Sequence, residues 1–286
     1  MSGIPSEKRR HCKQRLGHFC STRRVRALAF CAFVLCTCST MLDDVRNAGK
    51  KPAEPENVTI KSYSVGDVLL ADGTIVPYNA EDLTFADDQK KNAVGVLYSI
   101  DENGTPRGWL GIYNSAENGG VGRYRWAKRS TISYSTKIES IKCKPSDSGG
   151  GTANTATFEG DTDGSDNWQE IGEIDTEGIK NAEENYPAFH YANTYGETYN
   201  LPKNYKTGWY MPSLAELCYV YRNIALLNKV IKALGGVELT DDFYWSSSQS
   251  EHDYFAWGVS FLGGYVFDGY SKGDCFYVCC VRSFSK

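Results

Sequence analysis

Tyr244–Phe284, reading YWSSSQSEHDYFAWGVSFLGGYVFDGYSKGDCFYVCCVRSF, decides how the chain is understood. Trp257, Val259 and Phe261 alternate there with Gly258, Ser260 and Leu262. That is the period of a β-strand with one buried face. Between such frame residues stand His252, Asp253, Tyr254 and Phe255, then Phe267, Asp268, Gly269 and Tyr270, then Gly273, Asp274, Cys275 and Phe276. These groups follow no periodicity, and they combine large aromatics with Gly and Asp. Rings outside a periodic frame mark a recognition surface, with the remaining chain as its support.

Immediately upstream the support is legible. Ser213 precedes Glu216 by three residues, a capping-box pattern, with Pro212 just outside. Leu214, Leu217, Val220, Tyr221, Ile224, Leu227, Val230 and Ile231 recur at helical spacing until Gly235–Gly236. One helix over that span is expected. A second is expected over Asp175–Tyr195, from Ile179, Ala182, Ala188 and Tyr191, with Pro187 kinking or breaking its middle. Earlier still, Val65–Leu70 and Thr74–Pro77 flank Asp72-Gly73, a hairpin signal. Val94–Ile100 and Trp109–Tyr113 flank a longer turn at Asp101–Gly104, and Tyr124–Trp126 suggests a further short strand. Residues 146–152 and 160–168 are dense in turn formers and read as loops. The fold class is α+β: two helices, short antiparallel sheets and much irregular loop.

The N-terminus reads differently. Residues 1–37 carry eight basic residues against the single acid Glu7, whereas the remainder has 23 basic and 34 acidic residues, a net of −11. A body that acidic repels nucleic-acid phosphates, so the basic lead is read as targeting. Arg23, Arg24 and Arg26 precede the apolar run Ala27–Leu35, too short to span a bilayer but suited to a secretory signal. Leu35-Cys36-Thr37-Cys38 resembles the lipobox of bacterial lipoproteins, with Cys38 as the lipidated residue and Cys36 as a second candidate. The expected organisation is a signal peptide (1–37), a lipidated Cys and flexible tether (38–62), and one domain (63–286).

Trp209-Tyr210-Met211-Pro212-Ser213, Tyr244-Trp245-Ser246-Ser247-Ser248, Ala256-Trp257 and Val281-Arg282-Ser283-Phe284 resemble bacterial domains with the formylglycine-generating-enzyme type of C-type lectin fold. Within these, the chain is similar to the variable proteins of diversity-generating retroelements, in their treponemal surface-lipoprotein branch. The frame that carries the likeness is Ala256, Trp257, Val259, Phe261, Gly264, Val266, Lys272, Tyr277, Val278, Val281 and Arg282. The resemblance implies that the residues between are rewritten from adenine-rich Asn codons and bind ligand. Those positions are His252, Asp253, Tyr254, Phe255, Gly258, Ser260, Leu262, Gly263, Tyr265, Phe267, Asp268, Gly269, Tyr270, Gly273, Asp274, Cys275 and Phe276. Every one is a residue that an Asn codon reaches through its first two adenines. Asn itself occurs sixteen times before Ile231 and never after it.

Positions open to rewriting cannot belong to the core, where a large-to-small change costs roughly 2–5 kcal/mol. All seventeen are therefore expected at the surface, with Trp257, Val259 and Phe261 buried behind them. The alternative is that several of the aromatics fill the core. Tyr and Phe would anchor the ligand, and Asp253, Asp268 and Asp274 would give polar specificity. The implied partner is a protein or glycan on another cell, bound by a monomer held in the outer membrane by lipid, with no nucleic acid, cofactor or metal.

Two other chemistries have candidate residues in the chain. Enzymatic relatives of the fold oxidise Cys with a copper-binding Cys pair; Cys275, Cys279 and Cys280 invite the comparison, but with three intervening residues instead of four, so no enzyme is expected. Cys143, Cys218, Cys279 and Cys280 read as buried structural thiols. Asp161, Asp163 and Asp166 offer oxygens to calcium but miss the EF-hand pattern, and a solvated acidic turn is the favoured reading.

Overall fold

The computed structural model describes residues 62–116, 122–147 and 151–284. The signal peptide, Cys36, Cys38 and all but the last residue of the tether lie outside the described residues.

The first hairpin is β1 (Val68–Leu70) and β2 (Ile75–Val76), antiparallel, with the Asp72 carboxylate accepting from Thr74 N at 2.8 Å across the turn. Helix α1 (Asp87–Asn92) follows; it has no buried residue, so no apolar periodicity announces it. Strands β3 (Ala93–Ile100) and β4 (Pro106–Asn114) form the second hairpin, whose turn is held by Asp101 Oδ1 accepting from Asn103 N and Thr105 N, each at 2.8 Å. Short strands β5 (Tyr124–Arg125), β6 (Cys143–Pro145) and β7 (Phe158–Gly160) come next.

Helices then replace strands. Beyond α2 (Asn167–Ile174), the single helix expected over Asp175–Tyr195 is a 3₁₀ turn, α3 (Ala182–Asn185) and α4 (Pro187–Thr198). Pro187 starts α4 instead of kinking a longer helix, because the first position of a helix needs no donor there. The second expected helix also divides, into α5 (Leu214–Arg222) and α6 (Ile224–Leu234). The break is Asn223, which caps both helices with φ −111° and ψ 8°; its side-chain amide donates to the Tyr98 carbonyl at 3.0 Å and to the Tyr219 carbonyl at 3.3 Å. The capping box is present: Ser213 Oγ accepts from Glu216 N at 3.2 Å, and the Glu216 carboxylate accepts from Ser213 N at 2.9 Å. Strands β8 (Phe243–Gln249), β9 (Phe255–Ser260), β10 (Tyr265–Ser271), β11 (Cys275–Phe276) and β12 (Cys279–Ser283) complete the chain.

The strands make a five-stranded antiparallel sheet ordered β12-β4-β3-β1-β2, a three-stranded sheet ordered β10-β9-β8, and the pairs β11-β5 and β6-β7. The fold is α+β, with six α-helices among the described residues. Strand β3 is buried along nearly its whole length because both faces are covered. Val96 and Tyr98 join one apolar cluster with Leu217 of α5 and Leu227 of α6; Val94 and Leu97 join another with Phe189 and Tyr195 of α4. Strands buried on both faces lose the alternation that marks a surface sheet.

Candidate functional site

The β8–β9–β10 sheet carries the stretch of interest, and its register sorts the residues. Cross-strand partners share a face. Phe243–Ser260–Tyr265 and Trp245–Gly258–Phe267 form two rows on the outer face. Tyr244–Val259–Val266 is the row between them, pointing inward. The inner face is core: Tyr244, Trp257, Val259, Phe261 and Val266 are all buried.

On the outer face the rings form a continuous band. Tyr265 to Phe267 is 6.0 Å between centroids, Phe267 to Tyr270 5.6 Å, Tyr270 to Phe276 4.6 Å, and Phe276 to Trp245 4.4 Å. Phe243 lies against three of these, Phe267, Tyr270 and Phe276, at 5.2–6.1 Å. Trp245 is fully buried beneath, its indole N–H donating to the Tyr124 carbonyl at 2.9 Å. Tyr265 is 57% exposed, while Phe267, Tyr270 and Phe276 are half-buried. Asp268 and Gly269 stand out from the strand where the β9–β10 register shifts between Phe267 and Tyr270.

The other expected positions lie at the ends of the same hairpin. Leu262 and Gly263 are exposed at its turn, where Gly264 adopts φ +70° and abuts the Tyr221 ring, leaving no room for a side chain. At the opposite end His252 and Tyr254 are exposed, and Asp253 and Phe255 are half-buried; Tyr254 leans on Tyr134 at 5.4 Å. Cys275 is exposed and Asp274 half-buried.

Three of the seventeen are buried, contrary to expectation: Gly258, Ser260 and Gly273. Gly258 and Ser260 point to the outer face but occupy its central strand, where flanking rings cover them. A Cβ at Gly258 would come within 2.8 Å of the Tyr244 carbonyl oxygen, which is backbone and cannot turn aside. Gly273 lies under Arg129, whose guanidinium is paired with Asp274 at 2.6 Å. Both Asp274 oxygens are engaged, since the second accepts from Ser271 N at 3.1 Å. Asp274 therefore shapes its turn.

Sequence reading missed Phe243. It stands one residue before the quoted stretch, yet it shares a face with Trp245, and that two-residue spacing was the available signal.

Ser246, Ser247 and Ser248 of β8, with Glu216 and Lys272, are hydrogen-bonded beside the band. Ser246 Oγ donates to the Trp257 carbonyl at 2.8 Å, Ser247 Oγ accepts from Asn167 Nδ2 at 2.7 Å, and Ser248 Oγ accepts from Leu214 N at 2.9 Å. Glu216 is buried under four donors: Tyr210 OH at 2.8 Å, Ser213 N at 2.9 Å, Gly164 N at 3.0 Å and Tyr98 OH at 3.3 Å. Burial pushes its carboxyl up to about 7, against the pull of those bonds. Lys272 is fully buried, with Nζ donating to the Thr136 carbonyl at 2.8 Å and lying 4.6 Å from the Trp126 ring centre. Burial lowers its ammonium to about 7, with nearby Asp253 acting the other way.

Clefts of about 510 Å³ and 500 Å³ flank the band, the first lined by Lys144, Glu251, Tyr265 and Asp268, the second by Arg125, Lys128, Arg129 and Cys275. A cleft of about 540 Å³ lies elsewhere, among Asn114, His190, Tyr191 and Tyr199. Cys279 and Cys280 are buried, with burial pushing the Cys279 thiol up to about 12, and Cys275 is exposed. The geometry gives Cys275 and Cys279 opposite surroundings. All five described cysteines are free thiols. No helix among the described residues is long and apolar enough to cross a membrane.

No family model and no curated protein matches the chain. It is similar to a crystal structure of a fimbrial protein from Bacteroides ovatus, at 15% identity and a TM-score of 0.49 over 77% of this chain. The match spans about half, 49%, of that protein. A likeness at that level carries no argument about this chain.

Proposed function

We propose that this chain is a surface-displayed lipoprotein of the outer membrane that binds a ligand through the outer face of β8–β10. In this reading the domain has the C-type lectin fold of the formylglycine-generating-enzyme type. It resembles Treponema variable protein A, and a retroelement diversifies its face. The observation that carries the reading is the contiguous band of rings Tyr265, Phe267, Tyr270, Phe276 and Phe243 on one face of the sheet, with Tyr265 exposed and the other four half-buried. Open contiguous apolar surface of this kind marks interaction sites. Rigid Tyr and Phe rings supply contact area at low entropic cost, and Gly and Asp at the bulge and turns vary its outline. The ligand is a protein or glycan met at the cell surface.

Two tests address separate halves of the proposal. The DNA beside the coding region should hold a near-identical, adenine-rich copy of codons 252–284 next to a reverse transcriptase gene. Sibling genes with identical residues at 252–276 would refute diversification. A library randomised only at the exposed and half-buried positions of 252–276 should stay folded and yield binders to an unrelated protein target. Folded libraries that never yield a binder would refute the recognition role.

A further inference from the structure

The acidic segment Asp161–Glu170, DTDGSDNWQE, behaves differently from a solvated turn. Its backbone is folded by its own carboxylates: Asp161 Oδ1 accepts from Asp163 N at 3.1 Å, and Asp163 Oδ1 accepts from Ser165 N at 2.9 Å. What remains is unusual. Asp161 Oδ2, Asn167 Oδ1 and Glu170 Oε2 are all buried and none has a hydrogen-bond partner. Among the described residues one other buried side-chain N or O shares that condition, Gln249 Nε2. Three orphaned atoms within ten residues, all of them oxygens, ask for a common cause, because buried polar groups are nearly always satisfied.

The three lie on one short segment. Asn167 and Glu170 are three residues apart on α2, and so share its face. Asp161 lies close enough to Asp166, Asp163 and Glu170 for their charges to act on its carboxyl. Asn167 is fully buried, and its amide nitrogen is committed elsewhere, donating to Ser247 Oγ at 2.7 Å. The carbonyl end of that amide is thereby directed away from Ser247 of β8. No neighbouring N–H or O–H reaches any of the three oxygens.

We propose that Asp161, Asn167 and Glu170 form a calcium site that fastens the 161–170 segment to the sheet behind the recognition face. A hard cation is the one partner that receives several oxygen lone pairs at once without supplying protons. Two carboxylates and an amide oxygen are calcium chemistry, and backbone carbonyls or waters complete the six to eight ligands it takes. Magnesium demands a near-ideal octahedron and keeps its waters, and softer metals need the sulfur or imidazole this segment lacks. Among the described residues no three His, Cys, Asp or Glu side chains group as a metal site. Here the third ligand is an amide. The consequence reaches β8 through the bond from Asn167 to Ser247, and α5 through the bond from Gly164 N to Glu216.

The test uses the full chain after chelator treatment, titrated with Ca²⁺ and followed by calorimetry and thermal unfolding. Terbium serves as a second probe, because Trp168 stands inside the ligand segment and sensitises its luminescence. The expected result is one saturable Ca²⁺ event with Kd in the range of roughly 10⁻⁵ to 10⁻³ M, a raised Tm, and terbium luminescence that Ca²⁺ displaces and equal Mg²⁺ does not. Asp161→Asn and Glu170→Gln should each stay folded without metal and weaken Ca²⁺ binding at least about tenfold. The exposed Asp147→Asn should leave it unchanged. The proposal is overturned if wild type shows neither a Tm rise nor displaceable terbium luminescence up to about 10 mM Ca²⁺. It is equally overturned if both variants keep the wild-type response. Metal-free loss of Tm in both variants, with no Ca²⁺ response in wild type, would mean the Asn167 amide is reversed and donates to the carboxylates instead.

Discussion

The two faces of the β8–β9–β10 sheet are both aromatic, yet their rings are held in different ways. Inside, Phe261 stacks on Tyr244 at 4.4 Å and meets Tyr221 of α5 at 5.4 Å, so each ring is locked between a strand and a helix. Outside, Tyr265, Phe267, Tyr270 and Phe276 run in a row with Phe243 against them; Tyr270 and Phe276 rest on the core beside Trp245, and the row is exposed at Tyr265 and half-buried elsewhere. Apolar content alone does not separate core from site. What separates them is whether a second layer closes over the ring. A closed ring leaves a cavity when removed, whereas an open one leaves a dent that water fills.

The comparison breaks first at Trp257, if anywhere. Trp257→Ala should destabilise the domain by about 3–5 kcal/mol, measured by urea unfolding, and a loss below about 1 kcal/mol would abolish the distinction between faces. Lys272, buried in the turn just after β10, sharpens it next. Its folded pKa, near 7, lies below the unfolded value near 10.5. The unfolded chain therefore binds the extra proton between those pH values, and this residue's contribution to stability rises across that window and carries its full penalty below it. Lys272→Met should raise stability by on the order of 2 kcal/mol at pH 6 and by much less at pH 10.5, read from paired denaturation curves. Equal effects at both pH values would show that the amine is not desolvated.

Smaller effects probe the outer face itself. Gly258→Asn forces a Cβ toward the Tyr244 carbonyl and should cost about 1–3 kcal/mol, although its side chain points the same way as the rings. Tyr265→Asn combined with Phe267→Asn should cost about 1 kcal/mol, and a loss above about 3 would place those rings in the core. Gly269→Asn, at a position with nothing within 4 Å of a new Cβ, should change stability by less than about 0.5 kcal/mol. An inverted order between Gly258 and Gly269 would show that the bulge, not the central strand, is the constrained element.

What was legible in the sequence was local. Asp72-Gly73 and Asp101–Gly104 name their hairpins because a turn is decided by the residues within it, and the Ser213–Glu216 box formed for the same reason. Helix α1 escaped because DDQKKN carries polar residues alone and buries none. The break at Asn223 escaped because apolar spacing runs on through it, and the Tyr98 carbonyl that its side chain meets lies 125 residues away. Within the candidate site, alternation identified the inner face correctly at Trp257, Val259 and Phe261. It could not show that Gly258 and Ser260 lie beneath rings from β8 and β10, since burial on a central strand depends on neighbours distant in sequence. Phe243 was lost to a boundary placed one residue late.

The pairing of β12 with β4 sets a condition on when this molecule can take shape. Cys279 lies beside Asn114 and Ser283 beside Gly108, so one edge of the five-stranded sheet waits for a segment about 170 residues downstream. Closing so long a circuit is entropically slow, and sheets dominated by such distant pairings fold late. Every residue from 252 to 276 lies inside that circuit and precedes its closing strand. The 252–276 segment is thus made before the domain can lock, and β12 pairs with β4 through residues outside it. Substitutions at the exposed positions of 252–276 should therefore leave the closing step, and the rate at which the sheet is completed, nearly unchanged.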